Sequence, residues 1–130
     1  MNCSAVSRRP GSFSMAFQSR DVFEAMENDS GVKLTGLRVD GGATGSAMML
    51  QFQADLLGVK VQKPKVAETT ALGAAYLAGL AVGFWKDQSD VTKNWALDKE
   101  YKPKMKPDTR TKHISAWQDA VRRSKGWAKA

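Results

Sequence analysis

Leu37-Arg38-Val39-Asp40-Gly41-Gly42-Ala43-Thr44-Gly45-Ser46 holds the residues best placed to do chemistry. An alternating apolar segment runs into a double glycine and then into a helix-forming stretch. Glycine has no Cβ, so backbone N–H groups at such a turn can approach a ligand closely. A helix beginning there adds unpaired N–H groups and the positive end of its dipole. These features suit the edge of a nucleotide site. The stretch is neither the dinucleotide fingerprint G-x-G-x-x-G nor the phosphate loop G-x-x-x-x-G-K-[ST]. Spacing alone therefore leaves two readings, a ligand-facing edge or a tight strand-to-helix turn.

Few other residues compete for a chemical role. Asp40 and Asp55 are carboxylates near the turn. Asp40 suits a base or a magnesium ligand, and suits better a group that orients the turn by accepting local N–H bonds. His113 is the only histidine and sits in a charged stretch, so it reads as a surface residue. With one cysteine, Cys3, no zinc set can be assembled and no internal disulfide can form. No nucleophile motif accompanies His113. No catalytic residue and no metal ligand is assigned.

The elements that must position the turn are legible from periodicity. Residues 1–14 lack any period and read as irregular or disordered. From Met15 a helix is expected, with Met15, Ala16, Ser19, Phe23 and Met26 on one face. Asn28-Asp29-Ser30-Gly31 ends it, with Gly31 as the left-handed cap. A strand over 32–39 follows, then the glycine turn. A helix to Leu57 follows that, with Met49, Phe52, Gln53 and Leu56 in one stripe. Gly58 stops the helix, and Val59–Gln62 reads as a strand closed by Pro64. This is strand, turn, helix, strand, an α/β order.

Thr69 or Thr70 can cap a helix rich in alanine and glycine, with Glu68 at its positive end. Such a thin helix suits burial against a sheet or a ligand. Residues 84–111 are mixed and charged, with Pro103 and Pro107 breaking any helix. A last helix is expected over 112–127, packing Ile114, Trp117, Val121 and Trp127. About four helices and an incomplete sheet result.

The chain has 130 residues, enough for one domain or part of one. Its net charge is +7, and twelve of its twenty basic residues lie from Lys86 onward. Acids are interspersed there, and no basic-aromatic stacking pattern appears, so a solvated surface is expected and not nucleic-acid binding. No apolar run reaches membrane-spanning length, and Arg8-Arg9 is followed by no apolar segment of a secretory signal. A cytoplasmic setting is expected from the cysteine usage.

Four blocks carry a resemblance: Val39-Asp40-Gly41-Gly42-Ala43, Gln51-Phe52-Gln53-Ala54-Asp55-Leu56-Leu57-Gly58, Val61-Gln62-Lys63-Pro64, and the run Thr69–Trp85, TTALGAAYLAGLAVGFW. In this order and spacing they resemble the C-terminal region of the glycerol kinases, within the FGGY carbohydrate kinases. Trp117-Gln118-Asp119-Ala120-Val121 resembles the tail of the same family. The likeness covers about residues 16–127, and 1–14 match nothing expected upstream. It implies that 15–130 form part of the C-terminal domain of an actin-like, ribonuclease H-like ATPase fold.

It also implies a function. The family transfers the γ-phosphoryl of ATP to a terminal hydroxyl of glycerol, with magnesium. Its Gly-Gly turn sits against adenosine, which places Gly41, Gly42, Ala43 and Ser46 in the ATP/ADP site. Ser46 stands where the family usually has asparagine. The phosphate loops, glycerol contacts and catalytic base belong to regions N-terminal to anything present here. The expectation is an adenosine-side piece that binds nucleotide weakly, lacks the glycerol site and is not catalytic alone. It is also expected to self-associate or to join the missing kinase half. The alternative is an accessory or regulatory module that docks on an intact kinase or another partner.

Overall fold

The computed structural model describes residues 10–66 and 68–126. Expectations for Cys3 and Trp127 fall outside them. The order is α1 (Pro10–Ser30), β1 (Gly36–Arg38), a 3₁₀ turn (Gly42–Gly45), α2 (Ala47–Leu57), β2 (Lys60–Pro64), α3 (Thr69–Ala81), α4 (Gln88–Thr92), β3 (Leu97–Tyr101) and α5 (Pro107–Ser124). The sheet runs β1-β2-β3. β1 and β2 are parallel, with Leu37 opposite Val61. β2 and β3 are antiparallel, with Val61 opposite Tyr101 and an irregularity between Lys63 and Pro64. That irregularity falls where Pro64 has no N–H to give the ladder. The expected α/β class is found, with a three-stranded sheet and, among the described residues, five α-helices where about four were expected.

α2 is the hub. Met49, Leu50 and Ala54 pack with Val61 and Tyr101 of the sheet, and Leu37 and Val39 lie against that cluster. On the other side Phe52 meets the rings of Phe13 and Phe17 edge-on, at 4.8 and 5.5 Å between centroids. Phe17 stacks on Trp117 of α5 at 5.0 Å. The Trp117 indole N–H donates to Asp21 of α1 at 2.6 Å. Three helices are thereby joined through one aromatic cluster.

Polar contacts fix the ends of α2. Gly58 takes φ 73°, and its N–H donates to the Ala54 carbonyl. Arg110 Nε and Nη2 donate to the carbonyls of Leu56 and Leu57 at 2.7 and 3.0 Å. These are carbonyls that a helix end leaves unpaired. Asp55 Oδ1 accepts the Lys104 and Met105 N–H groups at 2.6 and 3.1 Å. Asp55 is therefore a brace for the β3–α5 link and not a group at the glycine turn.

Several expectations are corrected. α1 begins at Pro10, so the last five residues of the segment expected to be irregular are helical. Its buried position is Ala16, whereas Met15 and Met26 are exposed. α1 carries apolar residues around much of its circumference, and the position of Phe52 selects the face with Phe13 and Phe17. Pro107 opens α5 instead of breaking a helix, because a first-turn proline loses no helical hydrogen bond. β3 was hidden by Asp98, Lys99 and Glu100, charges suited to an edge strand. α3 is not buried against the sheet. Only Gly79 in it is buried, beneath the Trp85 ring.

Glu27 joins α1 to β1. Its carboxylate accepts the Leu34 N–H at 2.5 Å and pairs with Lys33 at 3.3 Å. The Leu34 hydrogen bond, with help from Lys33, holds the Glu27 carboxyl below its ordinary value. A depressed carboxyl contributes stability above its unfolded pKa and loses it as pH falls through the folded value. Glu27→Gln is expected to lower the neutral midpoint while changing the most acidic one little, so that the acid side of a stability-versus-pH curve flattens, as urea titrations across pH would show. Arg110→Ala is expected to destabilise the fold by about 1.5–3 kcal/mol, the range for hydrogen bonds to a charged group. Urea unfolding at neutral pH measures it.

Candidate functional site

The turn between β1 and α2 is built from three local features. Gly41 sits at φ 82° and ψ 175°, a region essentially restricted to glycine. The Thr44 N–H and Oγ1 both donate to the Gly41 carbonyl, at 3.1 and 2.7 Å. Thr44 is buried and locks the turn from inside. Ser46 then caps α2, its Oγ accepting the Met49 N–H at 3.3 Å.

Gly42 and Gly45 differ from Gly41. Neither has a positive φ. A Cβ at either would meet nothing within 4 Å. The chain's own packing therefore requires no glycine at these two positions. Their effect is to leave bare backbone facing a shallow hollow of about 190 Å³, lined by Met15, Gly42, Ala43, Gly45, Ser46 and Met49. Every lining side chain is uncharged. A flat, neutral, partly apolar surface suits a heterocyclic base or a sugar. It offers no cation to a triphosphate and no carboxylate to magnesium. Among the described residues no group of three His, Cys, Asp or Glu side chains comes together to hold a metal.

Of the expected site residues, Gly42, Ala43 and Ser46 line the hollow, and Gly41 shapes the turn behind them. Asp40 does not bond local N–H groups. It accepts the hydroxyl of Thr69 at the start of α3, tying the turn to the next helix. Thr69 is thereby engaged, and α3 has Glu68 at its cap position without a side-chain cap bond. His113 is exposed and lies edge-on to Phe52 at 5.8 Å. The sequence reading placed Met15 and Met49 in core stripes and missed them as lining. Only the packing of α1 on α2 brings Met15 to the turn, and no short-range pattern encodes that.

The βαβ unit with a glycine turn ahead of its helix is part of an actin-like ATPase fold, shared with the carbohydrate kinases that match it. The C-terminal domain of the FGGY family of carbohydrate kinases matches residues 11–82, and the chain belongs to that family. It is 58% identical over 114 residues to a glycerol kinase of Pseudothermotoga lettingae, covering 88% of this chain and 23% of that protein. A Clostridium tetani protein, glycerol kinase 1, is 56% identical over 90% of this chain and 24% of its own length. The crystal structure of Plasmodium falciparum glycerol kinase with ADP superposes with a TM-score of 0.77 at 34% identity, over 90% of this chain and 24% of that one. A xylulose kinase from Lactobacillus acidophilus shares the fold, with a TM-score of 0.60 at 22% identity. The chain thus spans about a quarter of the length of these relatives.

The two glycines of the turn should separate by mutation. Gly41→Ala is expected to cost about 1–3 kcal/mol, since alanine is strained at that backbone geometry. Gly42→Ala is expected to change stability by no more than about 0.5 kcal/mol, as for an unconstrained surface site. Urea midpoints for the two variants, measured side by side, test this difference.

Proposed function

We propose that this chain forms the adenosine-side wall of the ATP/ADP site of a glycerol kinase. The observation that carries the reading is the bare backbone at Gly42 and Gly45, which the fold itself does not require. The neutral lining of the hollow supports contact with base and ribose. The relatives named glycerol kinase, one of them in a structure with ADP, support the nucleotide and the acceptor. The single cysteine in the chain supports a reducing, cytoplasmic setting.

Phosphoryl transfer from ATP to a glycerol hydroxyl depends on aligning donor and acceptor and on neutralising charge with metal and cations. On this reading the chain contributes alignment only. Gly41 holds the turn and Thr44 locks it. Gly42, Ala43 and Ser46 form the surface against which adenosine rests. Phosphates, magnesium and glycerol are held by the parts of the kinase that lie beyond this quarter of its length. Ser46 acts chiefly as the cap that keeps the start of α2 in place.

One pocket wall without phosphate contacts is expected to bind ATP or ADP with a dissociation constant on the order of millimolar, about −4 kcal/mol. Gly42→Asp, which puts a carboxylate on the bare surface, should weaken that at least tenfold. Calorimetry at high protein concentration measures both. Micromolar affinity would mean a more complete pocket, and no heat at millimolar nucleotide would remove the reading. A coupled assay should show no glycerol-dependent ATP turnover by the purified chain. Turnover that is lost in Gly42→Asp would overturn the non-catalytic role.

A further inference from the structure

We propose that the hollow between the end of β1 and the start of α3 is a second binding site, for a small aromatic monocarboxylate. It shares no lining residue with the hollow at the glycine turn.

Four segments build it. β1 supplies Arg38, and the residue that follows β2 is Lys65. α3 adds Leu72 and Tyr76, α4 adds Val91, and the link from α4 to β3 adds Trp95. Backbone hydrogen bonds hold the outer wall. The Trp95 N–H donates to the Thr92 carbonyl at 3.1 Å, and the Lys65 N–H donates to the Ala96 carbonyl at 2.9 Å. The volume is about 230 Å³. That is below the roughly 300–1,000 Å³ of sites for drug-sized ligands, so the fit is to a ligand with a single ring.

The charge in this hollow has one sign. Arg38 and Lys65 line it, and among the described residues no Asp or Glu does. Arg38 also differs from the other described arginines. Arg20, Arg110, Arg122 and Arg123 each pair with a carboxylate or a carbonyl. Arg38 has no such partner among the described residues, and its guanidinium lies over the Trp95 ring, 4.3 Å from the centroid. Contact with a ring face holds the cation in place. It leaves the five N–H donors of the guanidinium still in need of acceptors. A planar fork of donors matches a carboxylate, which accepts two parallel N–H bonds.

The rest of the lining selects the body of the ligand. Three neutral polar side chains are already engaged within the fold. Thr69 donates to Asp40, Thr92 to the Gln88 carbonyl and Asn94 to the Asp90 carbonyl. Leu72, Tyr76, Val91 and the half-buried Trp95 supply apolar and aromatic walls. Such walls gain by covering a ring, with edge or offset contacts to the two aromatic side chains. Phosphate has more charge to desolvate and no ring to cover the walls, so it fits them less well. An anionic head on an aromatic body satisfies both parts of the hollow.

Phenylacetate titrated into the full chain tests this, followed through the NMR signal of the Trp95 indole N–H. That signal is assigned as the one missing from Trp95→Phe. The expected result is a saturable shift with a dissociation constant on the order of millimolar, as for a small ligand in an open site. Phenylacetamide keeps the shape without the charge, and acetate keeps the charge without the ring. Each should bind about tenfold more weakly or worse. Arg38→Gln removes the charge and Arg38→Lys removes the fork, and each should weaken phenylacetate by about threefold or more. Inorganic phosphate at equal concentration should not displace phenylacetate. Arg38 is exposed, and an otherwise unchanged amide spectrum shows that its variants fold. The proposal is overturned if the Trp95 signal does not move, if phenylacetamide or acetate binds as tightly as phenylacetate, or if either Arg38 variant binds like the wild type. Displacement by phosphate would make the hollow a general anion site and overturn it as well.

Discussion

Leu50, Ala54 and Leu56 reach zero exposure on a helix of only eleven residues, because α2 is covered from two directions at once. The sheet covers one side through Val61 and Tyr101, and the aromatic cluster of α1 and α5 covers the other. Apolar burial at about 25 cal/mol per Å² makes this double cover the main source of stability available to the chain. It also fixes the site. The glycine turn is the start of α2, so the hollow holds its shape only while α2 stays clamped. Arg110 and Asp55 reinforce the clamp at the far end of the same helix, closing its last carbonyls and tying down the approach to α5.

Away from α2 the packing thins quickly. α3 makes its main aromatic contacts with the turn that follows it, where Trp85 lies over Gly79 and meets Tyr76 and Phe84 edge-on. Its tie to the turn after β1 is polar, through Thr69 and Asp40. A small-residue helix has little to offer a core on its own, and its worth lies in letting another backbone come close. The same reasoning applies to β1, three residues long and, among the described residues, paired on one side. A sheet of three strands depends on helices covering its apolar face. Here α2 covers one face, and the surface beyond it stays open.

Local chemistry made much of this legible in the sequence. Gly31 and Gly58 ended helices at left-handed caps, as their neighbours implied. The strand–turn–helix–strand order around Gly41 followed from periodicity and turn residues, and the resemblance to the kinases supplied the family. Long-range placement was not legible. β3 has charged residues at its centre, and only its pairing with β2 explains why Lys99 and Glu100 lie in a strand. The buried face of α1 was set by Phe52, thirty-odd residues away. Asp40 and Asp55 both looked like groups for the turn, and both are engaged by distant partners, Thr69 and the link before α5. A carboxylate's partner depends on which backbone N–H or hydroxyl the tertiary fold brings to it, and spacing in the sequence does not encode that.

The adjacent glycines show how a structural and a functional reason can be told apart at one turn. Gly41 is explained by its own backbone, since φ 82° with ψ 175° admits little else. Gly42 has no such reason: its φ is ordinary and the space beside it is empty. A residue whose identity the fold does not demand is the better candidate for contact with something outside the fold. The absence of charge around it narrows what that something is. Phosphates would call for Lys, Arg or a run of aimed N–H groups, and a metal would call for carboxylates. The lining at the hollow offers backbone, methyl and thioether groups and one hydroxyl already used as a cap. Such a surface has the chemistry to meet a neutral, partly apolar group, and its lining side chains carry no charge to meet an ion.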